Sequence, residues 1–379
     1  MITPAIVRFL IKLMVLGGLL LGLPLIGVLL AGHNVALYFE FPPQTRHIEH
    51  APFSWIAFAI IALFILAMIL PLIIKGRQGY QNTPPKIRAS TALPLPWWGW
   101  LGITMGVLAW ILAWTRFSWF TAIQPHTFSP LWFSYILVVN AVCFRRTGHC
   151  LMTDQPKFFL SLFPASAAFW WFFEYLNRYT QNWYYVGAEF GPWAYFWYAT
   201  LPFSTVLPAV LSTRQWLLTS SWIRRAFGDF TRLKIPRIGL VAVCGLLLSA
   251  GGLAAIGVWP NYFFPFLWIS PFVVIICLQT LMEDDHIFAQ LSAGDWSAVV
   301  AAALAALVCG GFWEMWNFYS LAKWQYSIPL VDRYKIFEMP LLGYAGYLPF
   351  GLECAAIGAM LEKLANAPIK TNMLSTKRK

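Results

Sequence analysis

Long apolar runs separated by short polar breaks set the plan of this chain. Runs of about 17 to 25 residues, the length a helix needs to cross a hydrocarbon core roughly 30 Å thick, can be drawn at 9–31, 53–74, 98–115, 130–145, 158–176, 194–212, 238–258, 262–281, 297–316 and 341–362. The pattern predicts an all-α polytopic membrane helix bundle of about ten transmembrane helices. In the first run Arg8 and Lys12 precede an apolar stretch from Met14 to Ala31. That stretch is longer than a signal-peptide core of about 7–15 residues and no small-x-small cleavage site follows, so an uncleaved span is expected. Pro84-Pro85, Pro94 and Pro96 mark the polar break after the second run as a linker.

Landmarks recur in order along the chain. Leu131-Trp-Phe-Ser134 is matched by Leu267-Trp-Ile-Ser270, and Leu201-Pro-Phe203 by Leu348-Pro-Phe350. Between them Glu174, Asn177 and Tyr179 are matched by Glu314, Asn317 and Tyr319, and Trp183 and Tyr185 by Trp324 and Tyr326. These pairs predict an internal duplication of four spans per copy. Because four is even, both copies enter the membrane in the same sense, as in transporters built from parallel repeats. The expected organisation is an N-terminal helix pair (1–75), a linker (76–97), repeat one (98–212), a basic loop (213–237), repeat two (238–362) and a basic tail (363–379).

Composition agrees with the pattern: 59% of the 379 residues are hydrophobic and 11% charged, with a mean hydropathy of +0.64, against about 25% charged in soluble domains. The formal charge of +11 changes the picture only through its placement. With ends and loops taken alternately, 20 of the 26 Lys and Arg residues fall on one side, 6 of them in 214–237. By the positive-inside rule both termini are expected in the cytoplasm, with the protein in a cell inner membrane. The basic loop then reads as a topology determinant touching anionic lipid, not as a nucleic-acid site. The six cysteines are scattered, without Cys-x-x-Cys spacing, and imply neither a disulfide framework nor a zinc site.

Topology puts the Glu-x-x-Asn pairs at the outer ends of their helices, where Glu and Asn three apart share a face. Interfaces attract Trp and Tyr for anchoring alone, but an anchor needs no carboxylate. Glu353 falls inside the last run, where a charge at the bilayer centre costs about 2.5–3.5 kcal/mol and calls for an interior position; repeat one has Val206 there. Pro202 and Pro349 are expected to kink their spans. On the inner side Glu283-Asp-Asp285-His286 with Asp295 reads as a solvated acidic loop, with divalent-cation binding as the alternative. Arg145-Arg146 beside His149 and Cys150 reads as a topology signal, with an anion site as the alternative. Dinucleotide, P-loop, zincin and c-type haem motifs are missing from the sequence, so neither a cofactor nor a metal is expected.

The order Trp313-Glu314, Trp324-Gln-Tyr326 and Pro349-Phe-Gly-Leu-Glu353 resembles the membrane-integral lycopene cyclases. Those are also built from two tandem helical repeats, each with a Trp-acid pair, a Trp-x-aromatic turn and a Pro-x-acid-acid motif. The resemblance implies protonation of a polyene by an intramembrane acid, with aromatic faces stabilising the cation and no redox cofactor. Here a single acid follows the proline by four residues, copy one has none, and each repeat has four spans instead of three. The reading adopted is a binder or enzyme for a lipidic or isoprenoid substrate, its partners being membrane lipids and a hydrophobic small molecule. Glu353, Glu314 and Glu174 are its candidate catalytic acids. Asn177, Asn317, Trp313, Trp316, Trp324, Tyr326, Trp183 and Tyr185 are its candidate substrate contacts. The alternatives are a proton- or cation-coupled transporter or channel using the same acids, and a structural membrane component.

Overall fold

The computed structural model describes residues 4–82 and 93–365. Pro84-Pro85 of the expected linker and most of the basic tail lie outside the described residues. The chain is an all-helical bundle whose exterior is that of a membrane protein: Ile60, Leu63, Leu66, Leu247 and Leu248 are exposed among many other large apolar side chains. The first apolar stretch, Val7–Leu30, comprises α1 (Pro4–Gly17) and α2 (Leu23–Leu30), joined by a π-helical turn. There follow α3 (Trp55–Gln81), α4 (Trp97–Trp114), α5 (Phe128–Thr147), α6 (Pro156–Thr180), α7 (Pro192–Phe203), α8 (Val206–Leu218) and α9 (Ser221–Phe227). The second half holds α10 (Ile238–Ile256), α11 (Pro265–Leu281), α12 (Ser297–Phe318) and α13 (Tyr347–Ala365).

Among the described residues, 7 helical stretches are long and apolar enough to cross a membrane, one of them running through α7 and α8 as Pro192–Leu218. The runs at 158–176, 262–281 and 341–362 are also helical but fall short of that criterion. The reasons are local: α11 has 17 residues, α6 is interrupted by polar groups, and α13 carries Glu353, Glu362 and Lys363. The two prolines behave differently from each other. Pro202 comes one residue before the end of α7, and the chain turns through Ser204-Thr205 before α8 begins. Pro349 lies in the first turn of α13, where no intrahelical N–H is needed, so it starts a helix and does not kink one.

At the centre α8 and α12 lie side by side, with α13 against both, α6 against α8 and α13, and α5 against α8. Small residues allow this closeness: Ala301, Ala302, Ala305, Ala306 and Cys309 of α12 are fully buried, and close backbone approach is how helices gain contact in lipid. A Cβ on Gly351 would stand 2.1 Å from the Ala302 carbonyl oxygen, so α13 can approach α12 only with glycine there. Outside this core α4 packs on α5, and α10 on α11 and α2.

α3 stands apart. None of its most apolar stretch is buried, because it meets the rest of the molecule only near its ends. At one end Ser54 donates its N–H to the Leu330 carbonyl, and Trp55 and Phe58 contact the Tyr334 ring. At the other, Gly79 rests on Ala226 of α9, where a Cβ would come within 2.3 Å of the alanine methyl. Two short strands lie near the first of these ends. β1 (Trp183–Val186) follows α6 and β2 (Lys323–Tyr326) follows α12. They pair antiparallel, with Trp183 opposite Tyr326, Tyr184 opposite Gln325 and Tyr185 opposite Trp324.

Candidate functional site

Between the detached helix α3 and the bundle lies a cavity of about 2490 Å³. Ligand pockets for small molecules run to about 300–1,000 Å³, so this space matches a lipid better than a polar metabolite. Ile61, Phe64, Ile65, Met68 and Leu72 line it from α3 at helical spacing. The facing wall is largely aromatic near the strands: Trp170, Trp183, Tyr185, Trp313, Trp324, Tyr326 and Tyr347 all reach it.

Each carboxylate of the paired motif lies one layer behind these rings. Glu174 is fully buried and does not border the cavity. Its Oε1 accepts from Trp170 Nε1 at 3.1 Å, Trp183 Nε1 at 3.0 Å and the Tyr185 hydroxyl at 2.6 Å. Glu314 is equally buried; its Oε1 accepts from the Tyr326 and Tyr347 hydroxyls, both at 2.8 Å, and Trp324 Nε1 donates to the Tyr326 oxygen at 2.8 Å. Both acids therefore fix the orientation of cavity-lining rings. In both, Oε2 has no hydrogen-bond partner among the described residues.

The asparagines act on the backbone. Asn177 Nδ2 donates to the Trp183 carbonyl at 2.8 Å, and its Oδ1 accepts from the Asn182 N–H at 2.7 Å. Asn317 Nδ2 donates to the Trp324 carbonyl at 2.8 Å, and its Oδ1 accepts from the Trp324 N–H at 2.9 Å. Each amide, placed in the last turns of its helix, holds the following strand so that its tryptophan turns inward. Neither asparagine borders the cavity. Where a ligand contact was expected, the structure places a clamp beneath the contact.

The remaining sequence candidates separate by helix face. Trp313 lines the cavity, whereas Trp316, three residues on, points away from it and packs against Trp132 at 5.3 Å and Phe312 at 5.1 Å. Glu353 is buried inside α13, off the cavity wall, and both its oxygens lack a hydrogen-bond partner among the described residues. The acidic loop is partly neutralised: Asp284 accepts from Lys12 and pairs with Arg8 at 3.5 Å. Burial alone would raise the Asp284 carboxyl, but the hydrogen bond from Lys12 and the charges of Lys12, Lys363 and Arg8 hold it below the usual carboxylate range. No three His, Cys, Asp or Glu side chains converge as a metal site among the described residues.

Sequence reasoning missed three contributors. Trp170 and Tyr347 have no special spacing, and only the hydrogen bonds to Glu174 and Glu314 reveal them. The α3 wall was legible as a span but not as a detached one. The chain matches no protein-family model, no curated protein and no solved structure.

Proposed function

We propose that this protein binds a lipidic or isoprenoid molecule in the space between α3 and the bundle, held against the rings of Trp183, Tyr185, Trp324 and Tyr326. The observation that carries the reading is the size and lining of that cavity, whose aromatic wall is fixed by two fully buried carboxyl groups. In this reading Glu174 and Glu314 are positioning residues, and so are Asn177 and Asn317. What favours binding over acid catalysis of the lycopene-cyclase kind is that Glu174, Glu314 and Glu353 all stand off the cavity wall. A proton-coupled transporter is the second reading; the oxygens of Glu353, which have no hydrogen-bond partner among the described residues, speak for it.

The same proposal takes all ten helical runs as spans and the halves 98–212 and 238–362 as parallel copies, with both termini on the cytoplasmic face of the inner membrane. The mutual pairing of β1 with β2, each tryptophan opposite the other strand's tyrosine, supports a twofold relation. So does the contact of Trp132 with Trp313 at 4.9 Å, which is matched by Trp268 with Phe173 at 5.5 Å.

The test is uptake of a radiolabelled polyprenol by the full chain in nanodiscs. Saturable binding that weakens in Trp183→Ala and Trp324→Ala supports the proposal. If the polyprenol partitions without saturation while Glu353→Gln abolishes proton-linked flux in proteoliposomes, the transporter reading replaces it.

A further inference from the structure

The two ends of the cavity differ in charge. Toward the strands its wall includes Glu189 and Lys323, and Lys323 is neutralised by Glu338 at 2.5 Å. At the opposite end Arg77 from α3 and Lys234 from the segment before α10 line the wall together with His286. These come from separate parts of the chain. Gly79 on Ala226 fixes the end of α3, and the N–H of Leu233 donates to the Leu291 carbonyl at 2.9 Å, tying the Lys234 segment to the loop that follows α11. Among the described residues neither Arg77 nor Lys234 is in an ion pair. No carboxylate lines this end; the nearby acids Asp229, Asp285 and Asp295 stand off the wall. A long apolar cavity that ends in two uncompensated cations complements one kind of occupant.

We infer that the bound molecule is an anionic amphiphile, with its hydrocarbon against the aromatic wall and its phosphate-type headgroup at the Arg77–Lys234 end. The inference rests on the proposed lipid-binding role of the cavity. An arginine fork and a mobile ammonium match phosphate oxygens. The tail then extends toward the rings held by Glu174 and Glu314, while at the strand end Lys323, paired with Glu338, is the one Lys or Arg among the described residues that line the cavity there. Bound this way, the molecule has a fixed polarity in the cavity.

The experiment compares a polyprenyl monophosphate with the polyprenol of the same chain length, each titrated against the full chain in nanodiscs of zwitterionic lipid, with inorganic phosphate as a competitor. The expected result is tighter binding of the monophosphate, reduced about tenfold or more in the Arg77→Gln/Lys234→Gln double variant, as loss of charge-assisted hydrogen bonds requires. The alcohol should bind the double variant as it binds the parent, which also shows that the variant folds. Arg225→Gln removes one charge from α9, at the same end but off the cavity wall, and should leave the preference intact. Equal affinity for alcohol and monophosphate, or an equal loss in Arg225→Gln, overturns the headgroup assignment and leaves the lipid cavity standing. Competition by inorganic phosphate at comparable affinity also overturns it, since the site would then read free phosphate. If neither amphiphile saturates, the lipid-binding proposal itself fails.

Discussion

The oxygen of Tyr326 is the most exposed joint of the aromatic wall to a single substitution. It accepts from Trp324 Nε1 and donates to Glu314 Oε1, both at 2.8 Å. Tyr326→Phe keeps the ring and removes both bonds, so the indole N–H loses its acceptor and Glu314 loses one of the two hydroxyls that donate to its Oε1, keeping that of Tyr347. A lost hydrogen bond is worth about 0.5–1.5 kcal/mol and a stranded buried donor about 1–3 kcal/mol, so the loss should be roughly 1.5–4.5 kcal/mol. The matching change on the other strand is milder. Tyr185→Phe removes one bond and strands no donor, because Trp170 and Trp183 bond Glu174 directly; its cost should be about 0.5–1.5 kcal/mol. Equilibrium unfolding in mixed micelles, followed by tryptophan fluorescence, measures both. In the Glu314→Gln background the Tyr326→Phe penalty should shrink, since the two substitutions share partners. Equal losses at the two tyrosines, or a larger one at Tyr185, would refute the hydrogen-bond arrangement.

Other consequences are as direct. Gly79→Val forces a side chain into Ala226; at about 1–3 kcal/mol of overpacking, it should release the end of α3, raise hydrogen exchange there and weaken polyprenol binding. Trp316→Ala should destabilise by about 3–5 kcal/mol with the affinity of the folded protein unchanged, whereas Trp324→Ala should weaken binding. The Asp284 carboxyl is held low by Lys12 and its neighbours, so its contribution to stability is present above its unfolded-state pKa and lost as pH falls through the lower folded one. Protection of the α1 amides, measured relative to their intrinsic exchange rate at each pH, should therefore fall on acidification, and Asp284→Asn should lower it at neutral pH.

Much of this architecture was legible because membrane helices announce themselves by length and apolarity. The helical runs and the matched landmarks could be read from the chain alone. Which ring faces the cavity could not: α12 is apolar or small on most sides, so no periodicity separates Trp313 from Trp316. The pairing of Trp183 with Tyr326 joins segments far apart in sequence, and no local pattern encodes it. Glu174 and Glu314 were legible as unusual, but their role depends on which oxygen meets which ring. Their acidity drew attention to chemistry, whereas their geometry is that of fixed acceptors behind a wall. The sequence likewise does not show what the amides of Asn177 and Asn317 bond, since an amide at a helix end serves a backbone turn as readily as a ligand.

The most direct measurement maps where a lipid sits. The full chain in nanodiscs is photolabelled with a diazirine-bearing polyprenol, with and without excess unlabelled polyprenol, and the labelled peptides are identified. Saturable labelling is expected on the inner face of α3, around Phe64 and Met68, and on the strands that carry Trp183 and Trp324, with only unsaturable labelling at outward positions such as Leu247 and Leu248. Labelling that is unsaturable everywhere, or saturable only on the outer surface, would contradict lipid binding in the cavity.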